Sequence, residues 1–202
     1  MYVILASNSP RRRELFSKIY PDFTVLPADV DESLSPGTPP EAGVEILARR
    51  KAEHTFEMAL KSGMVPSEER LVVLGSDTVV ALDGQIIGKP KDEEDAKRIL
   101  RLLSGKTHQV FTGVCFVTPR GARVAAEKSE VRFRALSESD IEAYVSTGSP
   151  LDKAGAYGIQ DGAVVAGYTG SYTNIVGLPC ELTEKLLEEI RREEKEYAEN
   201  RH

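Results

Sequence analysis

Leu71-Val72-Val73-Leu74-Gly75-Ser76-Asp77-Thr78-Val79-Val80-Ala81-Leu82-Asp83-Gly84-Gln85-Ile86-Ile87 is the stretch on which the reading of this chain turns. Its apolar residues fall in two runs, Leu71 to Leu74 and Thr78 to Leu82, interrupted by Gly75-Ser76-Asp77. Both runs are rich in β-branched side chains, which predicts strands. The Asp83-Gly84 pair before Gln85 to Ile87 predicts a tight hairpin, because these residues accept the positive φ that such turns require. Between the two runs stands a carboxylate, Asp77, in apolar company. A buried carboxylate is costly without a partner or a task, so Asp77 is a structural, hydrogen-bonded acid or a functional one.

Working outward, Tyr2 to Ala6 reads as a short buried strand and Ser7-Asn8-Ser9 as a turn and cap before a helix opened by Pro10. Proline suits the first helical position, where its missing N–H is not needed, and Ser9 can accept from a free donor of the first turn. Leu15, Phe16 and Ile19 form the apolar face of this helix, and Phe23 to Leu26 reads as the next strand. An acidic loop with Asp29, Asp31 and Glu32 leads to a long helix from Pro40 to about Lys61, with Val44, Leu47, Ala48, Ala52, Phe56 and Leu60 at helical spacing. Downstream, Asp92 to Leu103 reads as a helix with acids in its first turn and Gly105 beyond its end. Gln109 to Val117 and Val124 to Phe133 read as an antiparallel pair around Pro119-Arg120-Gly121. Ser137 caps a helix over Ile141 and Val145 that stops at Gly148. A last helix begins near Glu181, with Leu182, Leu186, Leu187 and Ile190 on one side and a charged, solvated and frayed helical tail over residues 191–202. Alternating strands and helices followed by an antiparallel stretch predict a mixed-sheet α/β fold with α+β character, in a single domain spanning residues 1–202.

The chain has 202 residues, of which 41% are hydrophobic and 29% charged, the balance of an ordered globular protein. Its net charge of -6 argues against a nucleic-acid groove, whose affinity comes from cations neutralising phosphates. No apolar run approaches the ~18 residues of a membrane span, and the opening Met1-Tyr2-Val3-Ile4 has no basic leader, so the expectation is a cytoplasmic protein with no membrane partner. Cys115 and Cys180 stand far apart in apolar surroundings and are expected as buried free thiols. His54, His108 and His202 have no metal-ligand spacing and read as structural or surface groups.

Three further stretches could carry chemistry. Arg11-Arg12-Arg13 lies in the first turn of a helix, where the macrodipole disfavours cations. It is a solvated basic cluster, or an anion site in which a phosphate takes the free N–H groups and the charge. Asp152-Lys153-Ala154-Gly155-Ala156-Tyr157-Gly158-Ile159-Gln160 is a plain Gly-rich loop, or a ligand loop in which Lys, Tyr and Gln supply a charge, a stacking ring and an amide. The acids Asp29, Asp31 and Glu32 are solvent-facing, or join Asp77 in holding a hard divalent cation through oxygen ligands.

Taken in order, Ser7-Asn8-Ser9-Pro10-Arg11-Arg12, Gly75-Ser76-Asp77-Thr78, Gly88-Lys89-Pro90 and Asp152 to Gln160 resemble the Maf family of nucleoside triphosphate pyrophosphatases. Arg50-Lys51-Ala52, Leu103-Ser104-Gly105-Lys106-Thr107-His108, Gly170-Ser171-Tyr172 and Val176-Gly177-Leu178-Pro179 extend the match over nearly the whole chain. The resemblance implies a fold related to the inosine-triphosphate pyrophosphatases, with helices flanking a central mixed sheet and two lobes around a cleft. It implies hydrolysis of a nucleoside triphosphate to the monophosphate and pyrophosphate, a house-cleaning activity aided by a divalent cation, Mg²⁺ or Mn²⁺. Asp77 matches the proton acceptor; Ser7, Arg11, Arg12, Lys51 and Lys89 match positions that hold the phosphates; Glu32, with Asp77, matches the metal site. Arg11, Thr78 and Gln160 match the residues associated with a dTTP- and UTP-cleaving subgroup, as against a sister subgroup that takes 7-methyl-GTP. Ser76, where Ala is common, and Tyr168-Thr169, where a basic-apolar-acidic stretch is common, depart from the family pattern. Homodimerisation is implied by the family alone, and a nucleotide-sensing regulator of septum formation is the alternative from another class.

Overall fold

Strand β1 (Tyr2–Leu5) lies in the middle of a parallel trio, between β2 (Thr24–Val25) and β3 (Leu71–Leu82). The computed structural model describes residues 1–65 and 70–200, so His202 and the last residues of the predicted tail lie outside the described residues. The chain leaves β1 through helix α1 (Pro10–Ile19) to reach β2 on one side. It then crosses by α2 (Pro40–Ser62) to β3 on the other side. Leu15 and Phe16 of α1 pack on Val3, Leu5, Val72 and Leu74, whereas Ala48, Ala52 and Ala59 of α2 pack on Ile4, Leu71 and Val73. The two helices therefore cover opposite faces, and the strand order reverses at β1. Open α/β sheets place ligands at the carboxyl ends of strands beside such a reversal.

Past β3 the sheet turns antiparallel. β4 (Gln85–Ile87) folds back on β3 through Asp83 and Gly84, both at positive φ, as the Asp-Gly pair predicts. Helix α3 (Glu93–Leu103) precedes β5 (Thr107–Thr118) and β6 (Gly121–Phe133), and α4 (Glu138–Val145) follows with a full capping box between Ser137 and Asp140. Then come β7 (Val165–Thr169), α5 (Tyr172–Val176) and α6 (Cys180–Glu199). The strand order is β2-β1-β3-β5-β6-β7, with β4 on β3. One end of the long strands is covered by α1, α2 and α6. At the other end α3, α4 and β4 bury Val80, Val110, Val131 and Phe133. Two lobes thus share β3, β5 and β6, and the cleft opens between them.

Three expectations are corrected. The runs Leu71 to Leu74 and Thr78 to Leu82 are one twelve-residue strand, because Gly75, Ser76 and Asp77 are extended and paired with β5 like their neighbours. β7 and α5, in the glycine-rich region, have no counterpart in the sequence reading; β7 is short and mostly exposed, so its pattern carries little hydrophobic signal. The tail is helical as far as Glu199, as expected, but part of it is docked and not merely solvated: Arg120 pairs with Glu194 and stacks on Tyr197, and Arg123 pairs with Glu193.

Gly75 and Gly113 explain how α2 sits so close. A Cβ on Gly75 would lie 2.2 Å from the Ala48 carbonyl oxygen, and one on Gly113 2.3 Å from that of Val44. Helix backbone rests directly on strand backbone at both points, and any side chain there would push α2 away.

Candidate active site

β3 is paired unequally along its two edges. On the β5 side the ladder is continuous from Val73 to Ala81. On the other side β1 pairs only Leu71 to Leu74 and β4 only Val80 to Leu82. Gly75 to Val79 therefore border a gap in the sheet, and a cleft of about 660 Å³ opens there. The Ala6 N–H donates to the Leu74 carbonyl, so the backbone groups of Ser76 and Thr78, in step with Leu74, turn to the same edge. The volume suits a nucleotide-sized ligand.

Each residue expected at the site lines this one cleft. Ser7, Arg11 and Arg12 come from the carboxyl end of β1 and the start of α1, Glu32 and Lys51 from the acidic loop and α2. Asp77 and Thr78 come from β3, Lys89 from the segment after β4, and Gln160 from a single helical turn, Ile159–Asp161.

Adjacent residues of a strand project from opposite faces, so Asp77 and Thr78 part company. Asp77 faces α2. There the Lys51 ammonium donates to Asp77 Oδ1 at 2.5 Å and lies 2.7 Å from Glu32 Oε1. Lys51 and Asp77 are both nearly buried, whereas Glu32 opens to solvent. Gly113, the cross-strand partner of Asp77, is where α2 touches the sheet, and that contact brings Lys51 within reach. Burial pushes the Glu32 carboxyl upward. The hydrogen bond and charge of Lys51, with Lys89 and Arg12 beyond, outweigh burial and hold its pKa below the ordinary value.

Thr78 faces α1. Arg12 Nη2 donates to Thr78 Oγ1 at 3.0 Å and Arg12 Nε to the Gly177 carbonyl at 2.8 Å. Arg12 is therefore half-buried and braced, not the exposed side chain its place in a basic run suggests. Burial lowers its pKa, Asp77 raises it and Arg11 lowers it, and a guanidinium stays protonated throughout. Arg11 lies 3.6 Å from Asp152, while Arg13 is exposed and does not line the cleft. The triple-basic run thus divides into two cleft residues and one solvated one. Ser9 caps α1 through the Arg12 N–H, as its position predicts.

The glycine-rich loop is held by its own side chains. The Tyr144 hydroxyl donates to Asp161 Oδ2 at 2.5 Å and accepts the Gly158 N–H at 3.0 Å, gripping both sides of Gln160, which is exposed to the cleft. Lys153 donates to the Ser149 carbonyl and to Asp152, so its charge serves the loop before any ligand. Tyr157 is buried with its ring edge-on to Phe133 and its hydroxyl 2.9 Å from His108 Nε2. It is not a free stacking platform. Among the acids, Asp29 and Asp31 are exposed, and Asp31 is turned onto the backbone and hydroxyl of Ser33; only Glu32 reaches the cleft. Cys115 is buried, its thiol pushed up to about 12 by burial, whereas Cys180 is only half-buried at the start of α6. His108 is structural as expected: burial pulls its pKa down to about 4.

The donor set fits a hard divalent cation. Asp77 and Glu32 each set a carboxylate oxygen on one buried ammonium, so both reach a shared point. Among the described residues no group of three or more His, Cys, Asp and Glu side chains surrounds such a point. Magnesium at nucleotide sites commonly takes one or two carboxylates and completes its shell with phosphate and water, which matches this pair.

The family model described as Maf-like protein matches residues 2–190. The chain belongs to the Maf family. A relative from Hahella chejuensis named dTTP/UTP pyrophosphatase is 46% identical over 93% of this chain and 92% of its own. One from Moorella thermoacetica bearing the same name is 48% identical over 92% of this chain and 93% of its own. The solved Ham1 protein of Staphylococcus aureus overlaps 66% of this Maf-family chain and 72% of its own at 19% identity with a TM-score of 0.40, a loose and partial likeness. No helix among the described residues is long and apolar enough to cross a membrane.

The residues that hold the site's side chains in place, Thr112, Tyr144, Asp161 and Asn174, are missing from the sequence reading. Thr112 had a signal: it is the polar member of the alternating row Val110, Thr112, Val114 and Phe116, whose other members are all apolar and buried.

Proposed function

We propose that this chain hydrolyses dTTP and UTP to the monophosphates and pyrophosphate, removing excess or modified pyrimidine nucleotides. The observation that carries the reading is the meeting, at a gap in the sheet, of the Asp77 carboxylate with Arg11, Lys89 and Gln160, in a chain of the Maf family. The relatives' shared name supplies the substrate class.

In this reading a water oxygen bonds to the α-phosphorus as the bond to the bridging oxygen breaks, and pyrophosphate departs with that electron pair. The water proton passes to Asp77 Oδ2, the oxygen that Lys51 does not hold. Arg11, Lys89 and the braced Arg12 offset the charge of the triphosphate, and Ser7 lends a hydroxyl. Glu32 and Asp77 would hold Mg²⁺ or Mn²⁺, which when bound neutralises phosphate charge. The cation and a homodimeric state rest on the family resemblance, and a cytoplasmic location on the lack of a membrane-length apolar run in the sequence. Lys51 keeps the two acids together and prevents their mutual repulsion in the free enzyme.

Turnover of dTTP, UTP, CTP, GTP and 7-methyl-GTP with Mg²⁺ or Mn²⁺, scoring pyrophosphate apart from phosphate, tests the proposal. Pyrophosphate mainly from dTTP and UTP is the expected result. Release of phosphate, a preference for 7-methyl-GTP, or binding without turnover overturns it.

A further inference from the structure

Behind Thr78 runs a chain of buried polar groups that the chemistry above does not use. Thr78 Oγ1 is 2.9 Å from Thr112 Oγ1, and Thr112 Oγ1 is 2.9 Å from the backbone carbonyl oxygen of Asn174. Thr112 and Asn174 are fully buried. The Asn174 amide nitrogen donates to the Val110 carbonyl at 3.1 Å and to Ser129 Oγ at 2.8 Å, and its backbone N–H is capped by Ser171, so this carbonyl is rigidly placed.

The direction of the chain follows from counting hydrogens. A threonine hydroxyl has one hydrogen, and a carbonyl oxygen can only accept. The Thr112 hydrogen goes to the Asn174 carbonyl, so in the contact between the two hydroxyls Thr78 must donate. Arg12 Nη2 has only hydrogens to offer and occupies one lone pair of Thr78. What Thr78 can turn toward the cleft is then its other lone pair, with no hydrogen. The Gly177 N–H also donates to the Asn174 carbonyl at 3.1 Å, but reversing the chain would set Thr112 Oγ1 and that carbonyl oxygen 2.9 Å apart with no hydrogen between them, two lone pairs facing each other in a site closed to water.

We propose that Thr112 is a positioning residue that locks Thr78 as a hydrogen-bond acceptor, so that the site selects bases carrying an imide N–H. Uracil and thymine present carbonyl, N3–H, carbonyl along one edge; Arg11 and the Gln160 amide supply donors for the carbonyls and Thr78 accepts from N3–H. Cytosine has a bare nitrogen at N3, and two lone pairs then face each other. The inference rests on the pyrimidine-nucleotide reading above and adds to it the means of rejecting cytosine.

The test measures kcat/KM for UTP and CTP in the wild type, Thr112→Val and Thr112→Ser, with 3-methyl-UTP as a substrate for the wild type. Thr112→Val keeps the shape but removes the acceptor, so the Thr78 hydrogen is free to turn into the cleft. The UTP-to-CTP ratio is expected to fall about tenfold, mostly through KM, while Thr112→Ser keeps it. Wild-type enzyme is expected to reject 3-methyl-UTP, which lacks the N3–H. An unchanged ratio in folded Thr112→Val overturns the inference, as does wild-type cleavage of 3-methyl-UTP as fast as UTP, a result that holds even if the valine variant fails to fold. A wild type that does not prefer UTP to CTP overturns the substrate reading instead, and the inference with it.

Discussion

Asp77 and Thr78 are neighbours in sequence, yet the two sides of β3 on which they lie are built on different principles. The α2 side is charged: one ammonium between two carboxylates, closed by helix backbone resting on Gly75 and Gly113. The α1 side is almost neutral beyond Arg12: two hydroxyls, a carbonyl and a carboxamide, each with a set direction, extended along the same row of β5 by His108. Charge acts at a distance and tolerates poor alignment, which suits neutralising a polyphosphate and taking up a proton. Hydrogen-bond direction fails within a fraction of an ångström or a reversed hydroxyl, which suits telling one base from another. Placing both on one strand lets a single ligand be handled by each.

The largest break in this division comes from Asp77→Asn, which keeps the shape of the charged side and removes its base. Turnover of UTP is expected to fall roughly 10²- to 10⁴-fold with nucleotide binding retained by calorimetry. Undiminished turnover would return Asp77 to a structural role. Next comes Gly75→Ala. Its Cβ would press on the Ala48 carbonyl and the Ala52 nitrogen, so urea unfolding is expected to show a loss on the order of 3 kcal/mol or more. The displaced α2 also carries Lys51 away from Asp77. A stability within 1 kcal/mol of wild type, to order of magnitude, would mean that the helix gives way without cost.

Acid breaks the neutral side. The His108 imidazole has its pKa drawn from 6.5 to about 4 by burial, so between those values the unfolded chain binds a proton that the folded chain refuses. Stability is whole above about 6.5 and declines as pH falls toward 4, by at most ~3 kcal/mol from this group. Unfolding measured across that window, with His108→Gln expected to show a shallower slope, checks the assignment. The smallest effect sharpens the comparison: Gln160→Ala is expected to reduce the preference for UTP over CTP by about fivefold, with kcat on UTP little changed. Discrimination that survives intact would leave base reading to Thr78 and Arg11.

Much of the site was legible because its chemistry depends on residue types that are costly in their local setting. A carboxylate amid β-branched residues at Asp77 and cations at the start of α1 both conflict with local rules, and such conflicts mark function. The family motifs then gathered Ser7, Lys51, Lys89 and Gln160 around them. Legibility failed where local setting says nothing about partners. Arg12 reads as a surface cation, and only a contact spanning 165 residues to Gly177 shows that it is braced. Lys153 and Tyr157 sit in a ligand-like loop, but Ser149, Asp152 and His108 claim them.

The sequence by itself determined most of the strands and helices, β7 and α5 excepted, where the hairpin turns, and which residues have the chemistry to act on a triphosphate. These follow from side-chain period, turn preference and charge, all of which operate over a few residues. Only the tertiary structure decided that Lys51 joins Asp77 to Glu32, that β3 runs unbroken beside a gap in its own sheet, and that the Thr78 hydroxyl points its hydrogen inward. Each of these depends on groups distant in sequence meeting at hydrogen-bond range, where an ångström settles who donates and who accepts.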